Sequence, residues 1–334
     1  MLQQINLRCD TISEREEQFL KVLLMYDLII KNGLIYDGKG GRPFKADIAI
    51  LEEKIVSVGS IKGESKKTID ASGRIVTPGF VDIHTHYDGQ VTWDPYLRPS
   101  TYHGVTTVVM GNCGVGFSPC KPDQRDWLIG LMEGVEDIPG TALHEGIDWE
   151  WESFPEYLDA LEKKPLAIDV GTQIPHGAVR AYVMGERGIN HEEATEEEIK
   201  KMKQIVKEAI EAGAYGFSTS RTEKHNDVNG NLTPSITAHK NELVEIAKSL
   251  GEIEKGVLQG ISDFYDFESE FDIFKSMSKV WEANFYYSRT TRCSTRLVEA
   301  TFARNRSSSV RGYQEGWPST SKSNRHSNGL NSDA

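Results

Sequence analysis

Between Tyr26 and Thr77 the chain runs in short apolar and polar alternations, "YDLIIKNGLIYDGKG", "ADIAILEEKIVSVGS" and "KKTIDASGRIVTPG", broken at Gly and Asp-Gly. A period of two puts alternate side chains on opposite faces of a strand, and the glycines supply turns. The pattern predicts a small antiparallel β-sandwich segment over residues 25–78. After Pro78 the rhythm becomes strand then helix, as in a parallel sheet with crossover helices. Strands are expected at 80–86, 105–110, 166–171, 214–219 and 257–262. The clearest helix is "TEEEIKKMKQIVKEAIEAG", where Thr195 and Glu198 form a capping box and Gly213 stops the helix. Ile199, Met202, Val206, Ala209 and Ile210 make its buried stripe. Two more helices are read at 239–250 and through "SFPEYLDALEK" from Ser153. Five such units over residues 79–280 amount to an incomplete (β/α)8 barrel of the α/β class, whose site would gather at the C-terminal ends of the strands.

The first of these strands carries a polar file. In "GFVDIHTHYD", Asp82, His84, His86 and Asp88 share one face, while Val81, Ile83 and Thr85 share the other. The Cα atoms of His84 and His86 lie about 6.5 Å apart at strand rise, so both imidazoles can reach one ion. A wet edge strand would explain the same pattern as well. The segment "MGNCGVG" follows the second strand and brings Cys113 to the same end, in a turn whose Gly111, Gly114 and Gly116 allow close backbone approach. A buried cysteine by itself is usually a small hydrophobe. Beside two imidazoles it becomes a third zinc ligand, because a divalent ion is one of the environments that produces a thiolate. His84, His86 and Cys113 are therefore the candidate metal ligands, with zinc as the cofactor. Asp82 and Asp88 would either orient the imidazoles or stand in solvent, and neither is assigned a role.

Composition narrows the class. The 334 residues are 38% hydrophobic and 26% charged, with a formal net charge of -12, so nothing global favours nucleic acid or an anionic membrane surface. The four cysteines, Cys9, Cys113, Cys120 and Cys293, are too scattered for a disulfide scaffold, which fits a reducing cytoplasm. The early apolar run 22–26 is broken by Asp27, too short for a spanning helix or an export signal. Residues 1–24 read as a charged N-terminal extension, with Met25 as an alternative start.

With these residues in place the chain resembles the amidohydrolase superfamily and, within it, the D-aminoacylase (N-acyl-D-amino-acid deacylase) branch. The resemblance is carried by "TPGFVDIHTHYD" and "HGVTTVVMGNCG", and further by "GTQIPHGAVR" and "GAYGFSTS", over roughly residues 26–262. It implies a metal-dependent hydrolase of linear amide bonds, with the strand-two cysteine as a branch-specific zinc ligand and a small-molecule N-acyl amino acid as substrate. Such a zinc with an open position brings the pKa of its water to about 7. Arg221, at the end of the fourth strand, is the candidate for the substrate carboxylate, since its fork matches that group, although a salt-bridged surface arginine is the commoner case. His176 and Arg180 fall in the loop after strand three, His225 follows strand four, and His239 opens a helix at the surface.

The departures from the family matter as much. It places histidines at strands five and six and a catalytic aspartate at strand eight. Here "GVLQGISDF" offers Gln259, Ser262 and Asp263 but no histidine, and Asp263 reads as a helix cap. Catalytic residues are therefore unassigned, and the chain by itself is expected to be inactive. From Trp281 to Ala334 the composition changes to seven Arg against one Lys, with ten Ser and no Ile. An Arg/Ser-rich arm for RNA would look similar, but a switch in the middle of a barrel favours truncation or a shifted reading frame, leaving residues 281–334 a disordered or non-native tail. The alternatives to a deacylase are a cyclic-amide hydrolase of the dihydropyrimidinase or hydantoinase kind, or a non-catalytic truncated relative. The oligomeric state is left open.

Overall fold

A computed structural model describes residues 25–281 and the backbone of 285–289. The chain begins with a five-stranded sheet. Its antiparallel part joins β1 (Tyr26–Ile35), β2 (Phe44–Leu51) and β3 (Lys54–Gly59), as the alternation predicts. Two further strands, β4 (Ser65–Asp70) and β5 (Ile75–Val76), run parallel to β1, a pairing that alternation does not specify.

The second sheet is parallel and holds β6 (Phe80–Asp82), β7 (Val105–Met110), β8 (Asp169–Pro175), β9 (Gly216–Arg221), β10 (Val257–Ser262) and β11 (Phe285–Arg289), paired in chain order. Two of the five expected strands, β7 and β10, fall where the sequence puts them. The third and fourth start later, because residues 166–168 and 214–215 lead into the sheet before pairing begins. The first is shorter than expected. After Asp82 the His84 N–H turns to Asp82 Oδ1 (3.2 Å), although Thr85 N–H still reaches the Val109 carbonyl (2.9 Å). β11 is a correction, since it lies inside the region expected to contain no strand. Its "FYYSR" is aromatic-rich and suits a pleated surface. The expected disorder at 290–334 lies outside the described residues, as does the extension 1–24.

Helices cover the sheet: α1 (Arg125–Glu136), α2 (Gly140–Gly146), α3 (Phe154–Glu162), α4 (His176–Met184), the single turn α5 (Glu186–Ile189), α6 (Glu196–Ala212), α7 (Lys240–Ile253) and α8 (Phe267–Val280). The capping box of Thr195 and Glu198 opens α6, and Gly213 ends it at φ 122°. Its predicted stripe is buried in the same hydrophobic core as Leu243, Ile246, Ala247 and Leu250 of α7 and the strand residues Ile174, Phe217 and Leu258. His176 and Arg180 belong to α4 and not to a loop. Every residue from His176 to Ala181 is buried, so the segment shows no polar face for periodicity to detect. Both side chains meet Glu242 of α7: His176 Nε2 and Arg180 Nε each lie 2.8 Å from its Oε1, and His176 Nδ1 is 2.9 Å from Thr219 Oγ1.

Candidate metal centre

The site is built on the turn that follows β7. Gly111 (φ 73°), Cys113 (φ 57°) and Gly114 (φ 68°) all have left-handed backbone, which costs a non-glycine residue about 1–2 kcal/mol. Glycine is needed on both sides of the cysteine. A Cβ at Gly111 would fall 2.0 Å from the Gln173 carbonyl oxygen, and one at Gly114 would fall 2.9 Å from Ser220 N. The turn is held by a polar side chain from each of three neighbouring strands. Gln173 of β8 donates from Nε2 to Asn112 Oδ1 (2.8 Å). Ser218 of β9 accepts from Gly114 N–H (3.0 Å) and donates to the Gly111 carbonyl. Gln259 of β10 accepts from Cys113 N–H (2.8 Å).

This turn brings Cys113 to the two histidines beyond β6. Sγ lies 3.1 Å from His84 Nε2, and ligand atoms of His84, His86 and Cys113 all fall within 4.8 Å of one another. Among the described residues they are the one such group of three or more. His86 Nε2 is 3.3 Å from Glu136 Oε1, at the last residue of α1, while its Nδ1 is buried without a partner. Two nitrogens and a sulfur that converge with an unsatisfied buried nitrogen suit a tetrahedral ion of zinc type.

Electrostatics point the same way. Burial, then the neighbouring His84 and His225, pulls the His86 imidazole down to about 3, so it stays neutral and able to donate a lone pair. His225, whose Nδ1 is 2.9 Å from Ser220 Oγ, is pulled down to about 4 by burial, against the pull of Asp263 and with the help of His84. Burial pushes the Cys113 thiol far above its ordinary value, with the Glu136 charge adding to the effect and the Gln259 side chain opposing it. Without a cation this sulfur stays protonated, and a divalent ion would reverse that. Burial also raises Asp88 to about 8, with Glu136 adding, and raises Glu136 to about 7, with Asp137 adding.

The other sequence candidates are placed as follows. Arg221 closes β9, and its guanidinium is bidentate on Glu270 (2.7 and 2.8 Å) and donates to the Ala238 carbonyl. Asp263 accepts from Thr222 Oγ1 (2.9 Å) and Glu223 N–H (2.8 Å); the cap of α8 is Asp266, which accepts from Ser269 N–H, so the capping role falls three residues later than expected. His239 is exposed beside Glu193. Sequence reasoning missed Glu136 and gave Gln259 no role. A carboxylate in the last turn of a helix, where the macrodipole disfavours it, is a signal for Glu136, and a glutamine within an apolar strand is one for Gln259.

The model of the amidohydrolase family matches residues 67–299, a range that runs past the change of composition at Trp281. The D-aminoacylase of Alcaligenes xylosoxydans xylosoxydans is 31% identical over 226 residues, which are 67% of this chain and 42% of that protein. The N-acyl-D-aspartate deacylase of the same organism is 30% identical over 225 residues, 67% and 41% respectively. Among solved structures, the N-acyl-D-glutamate deacylase of Bordetella bronchiseptica, complexed with zinc and a phosphonate inhibitor, superposes with a TM-score of 0.62 at 25% identity, over 78% of this chain and 50% of that one. The chain thus spans about two fifths of the length of the curated relatives it matches. On its sequence, its half-barrel and the extent of the family match, the chain belongs to the amidohydrolase family.

Proposed function

We propose that the chain carries the metal-binding half of an N-acyl-D-amino-acid deacylase, with zinc held by His84, His86 and Cys113. The observation that carries the reading is the convergence of those three side chains at the ends of β6 and β7. Zinc with an open position acidifies water and polarises an amide carbonyl, the chemistry that hydrolysis of an N-acyl bond requires. The chain's own residues supply the setting. Neutral imidazoles offer lone pairs, the strained turn aims the sulfur, and Gln173, Ser218 and Gln259 hold that turn in place. Arg221 is the residue proposed to meet the substrate carboxylate, which would take the place of Glu270 on the guanidinium. A thiolate ligand suits a reducing cytoplasm. Among the described residues no helix is long and apolar enough to cross a membrane.

The test joins residues 25–280 to the remaining half of the Alcaligenes D-aminoacylase and follows release of free amino acid from N-acyl-D-amino acids. Release with D but not L substrates is the expected result. Ring opening of a hydantoin without action on acyl-D-amino acids would favour the cyclic-amide reading instead. This chain assayed alone is expected to release nothing, because the strand-eight aspartate that the family uses as base has no counterpart among its described residues.

A further inference from the structure

We propose that Gln259 is a positioning residue of the metal centre, its carboxamide gripping Cys113 at both ends: Oε1 on the backbone N–H and Nε2 on the thiolate sulfur that ion binding creates. The inference rests on the reading that Cys113 is a metal ligand.

Three observations lead to it. Of the three strand side chains that hold the turn, Gln259 is the one whose hydrogen bond lands on the ligand residue itself, at 2.8 Å and across 146 positions of sequence. Gln173 and Ser218 act on the flanking residues Asn112, Gly111 and Gly114. Gln259 and Ser218 are register partners on β10 and β9, so the carboxamide is fixed by the sheet and does not hang from a loop. Finally, Gln259 Nε2 is buried and has no hydrogen-bond partner, although its other end is fully engaged. A buried NH2 group wants an acceptor. With Oε1 tied to Cys113 N–H, the acceptor proposed for Nε2 is the same residue's sulfur. A thiol accepts poorly, whereas a ligated thiolate accepts well, and hydrogen bonds to a ligating sulfur tune its donor strength. Ligation releases the thiol proton to solvent, so the N–H···S contact would form as the ion enters.

The experiment uses the full chain loaded with cobalt(II), a spectroscopic stand-in for zinc, in wild type, Gln259→Glu and Gln259→Met. Glutamate keeps the acceptor for Cys113 N–H and removes the donor, while methionine removes both. Expected for Gln259→Glu are a thiolate-to-cobalt charge-transfer band at lower energy and an affinity about 10–100-fold weaker. The added negative charge alone would attract the cation, so weaker binding traces to the lost donor. In metal-free protein, exchange of the Cys113 amide hydrogen should match wild type in Gln259→Glu and be at least about tenfold faster in Gln259→Met, with Val206 exchange reporting an intact fold. An unchanged band and affinity in Gln259→Glu overturns the sulfur contact. Unchanged Cys113 exchange in Gln259→Met overturns the backbone grip. If the wild-type chain takes up no cobalt, the metal reading falls and the sulfur contact with it, while the exchange measurement still decides the grip.

Discussion

Cys113 can face two histidines because Gly111 and Gly114 let the backbone turn left-handed while it presses against β8 and β9. Gly111→Ala combines φ 73° with a Cβ 2.0 Å from the Gln173 carbonyl, so it should cost about 3 kcal/mol or more and abolish zinc uptake. Gly230→Ala, at φ 83° with nothing within 4 Å of the new Cβ, should cost only about 1–2 kcal/mol and leave zinc unchanged. Urea unfolding and metal analysis of the two variants separate turn geometry from general strain. A second outcome concerns Asp88, which keeps its proton in the folded chain to about pH 8 but ionises near 3.8 when unfolded. Between those values the folded state binds more protons than the unfolded one, so stability falls as pH rises. Asp88→Asn removes that linkage. In metal-free protein it should gain on wild type by up to about 1.4 kcal/mol per pH unit from about pH 4 to 8, followed by urea unfolding across that range. A constant difference would mean that Asp88 is not held protonated.

At the level of elements, what could be read from the sequence depended on contrast between faces. Helix α6 has one buried stripe and is charged or polar over much of the rest, so its period, cap and stop were all legible. Strand β7 lies between Gly104 and Gly111 and β10 between Gly256 and Asp263, and their limits were legible too. Helix α4 was not, because its first six residues are all buried. Helix α1 was missed for a different reason. Its Gly130 and Gly134 weaken the helical signal, yet a Cβ at Gly134 would sit 2.2 Å from the Asn226 carbonyl, so the glycine serves close packing against the loop after β9. In the site, the candidate ligands His84, His86 and Cys113 stood out because their types and spacings suit an ion. Gln259 and Glu136 did not, since their roles depend on partners 146 and 50 positions away. The buried group of His176, Arg180 and Glu242 ties α4 to α7 and yields a further expectation. Glu242→Ala leaves the Arg180 guanidinium buried without its carboxylate and should cost about 3–5 kcal/mol by denaturant unfolding. The pair Arg180→Met with Glu242→Leu should recover most of that loss. A small effect of Glu242→Ala would show that water replaces the carboxylate.

For the whole molecule, the half-barrel brings together the three candidate ligands from its first strands, and the sheet that carries them ends at β6 and β11, with no further strand paired beyond either among the described residues. Phe80, Val81 and Ile83 are exposed along the β6 edge. An edge strand has a paired neighbour on one side only, and among the described residues β6 pairs with β7 alone. The three candidate ligands and the side chains that hold their turn all lie between β6 and β10, within the part of the chain that matches its relatives. The most direct measurement is elemental analysis of zinc in the purified full chain, beside Cys113→Ala and His86→Ala, after stripping and reloading with zinc. Bound zinc in wild type and little in either variant is the expected result. Equal zinc in all three would contradict a centre built on His84, His86 and Cys113.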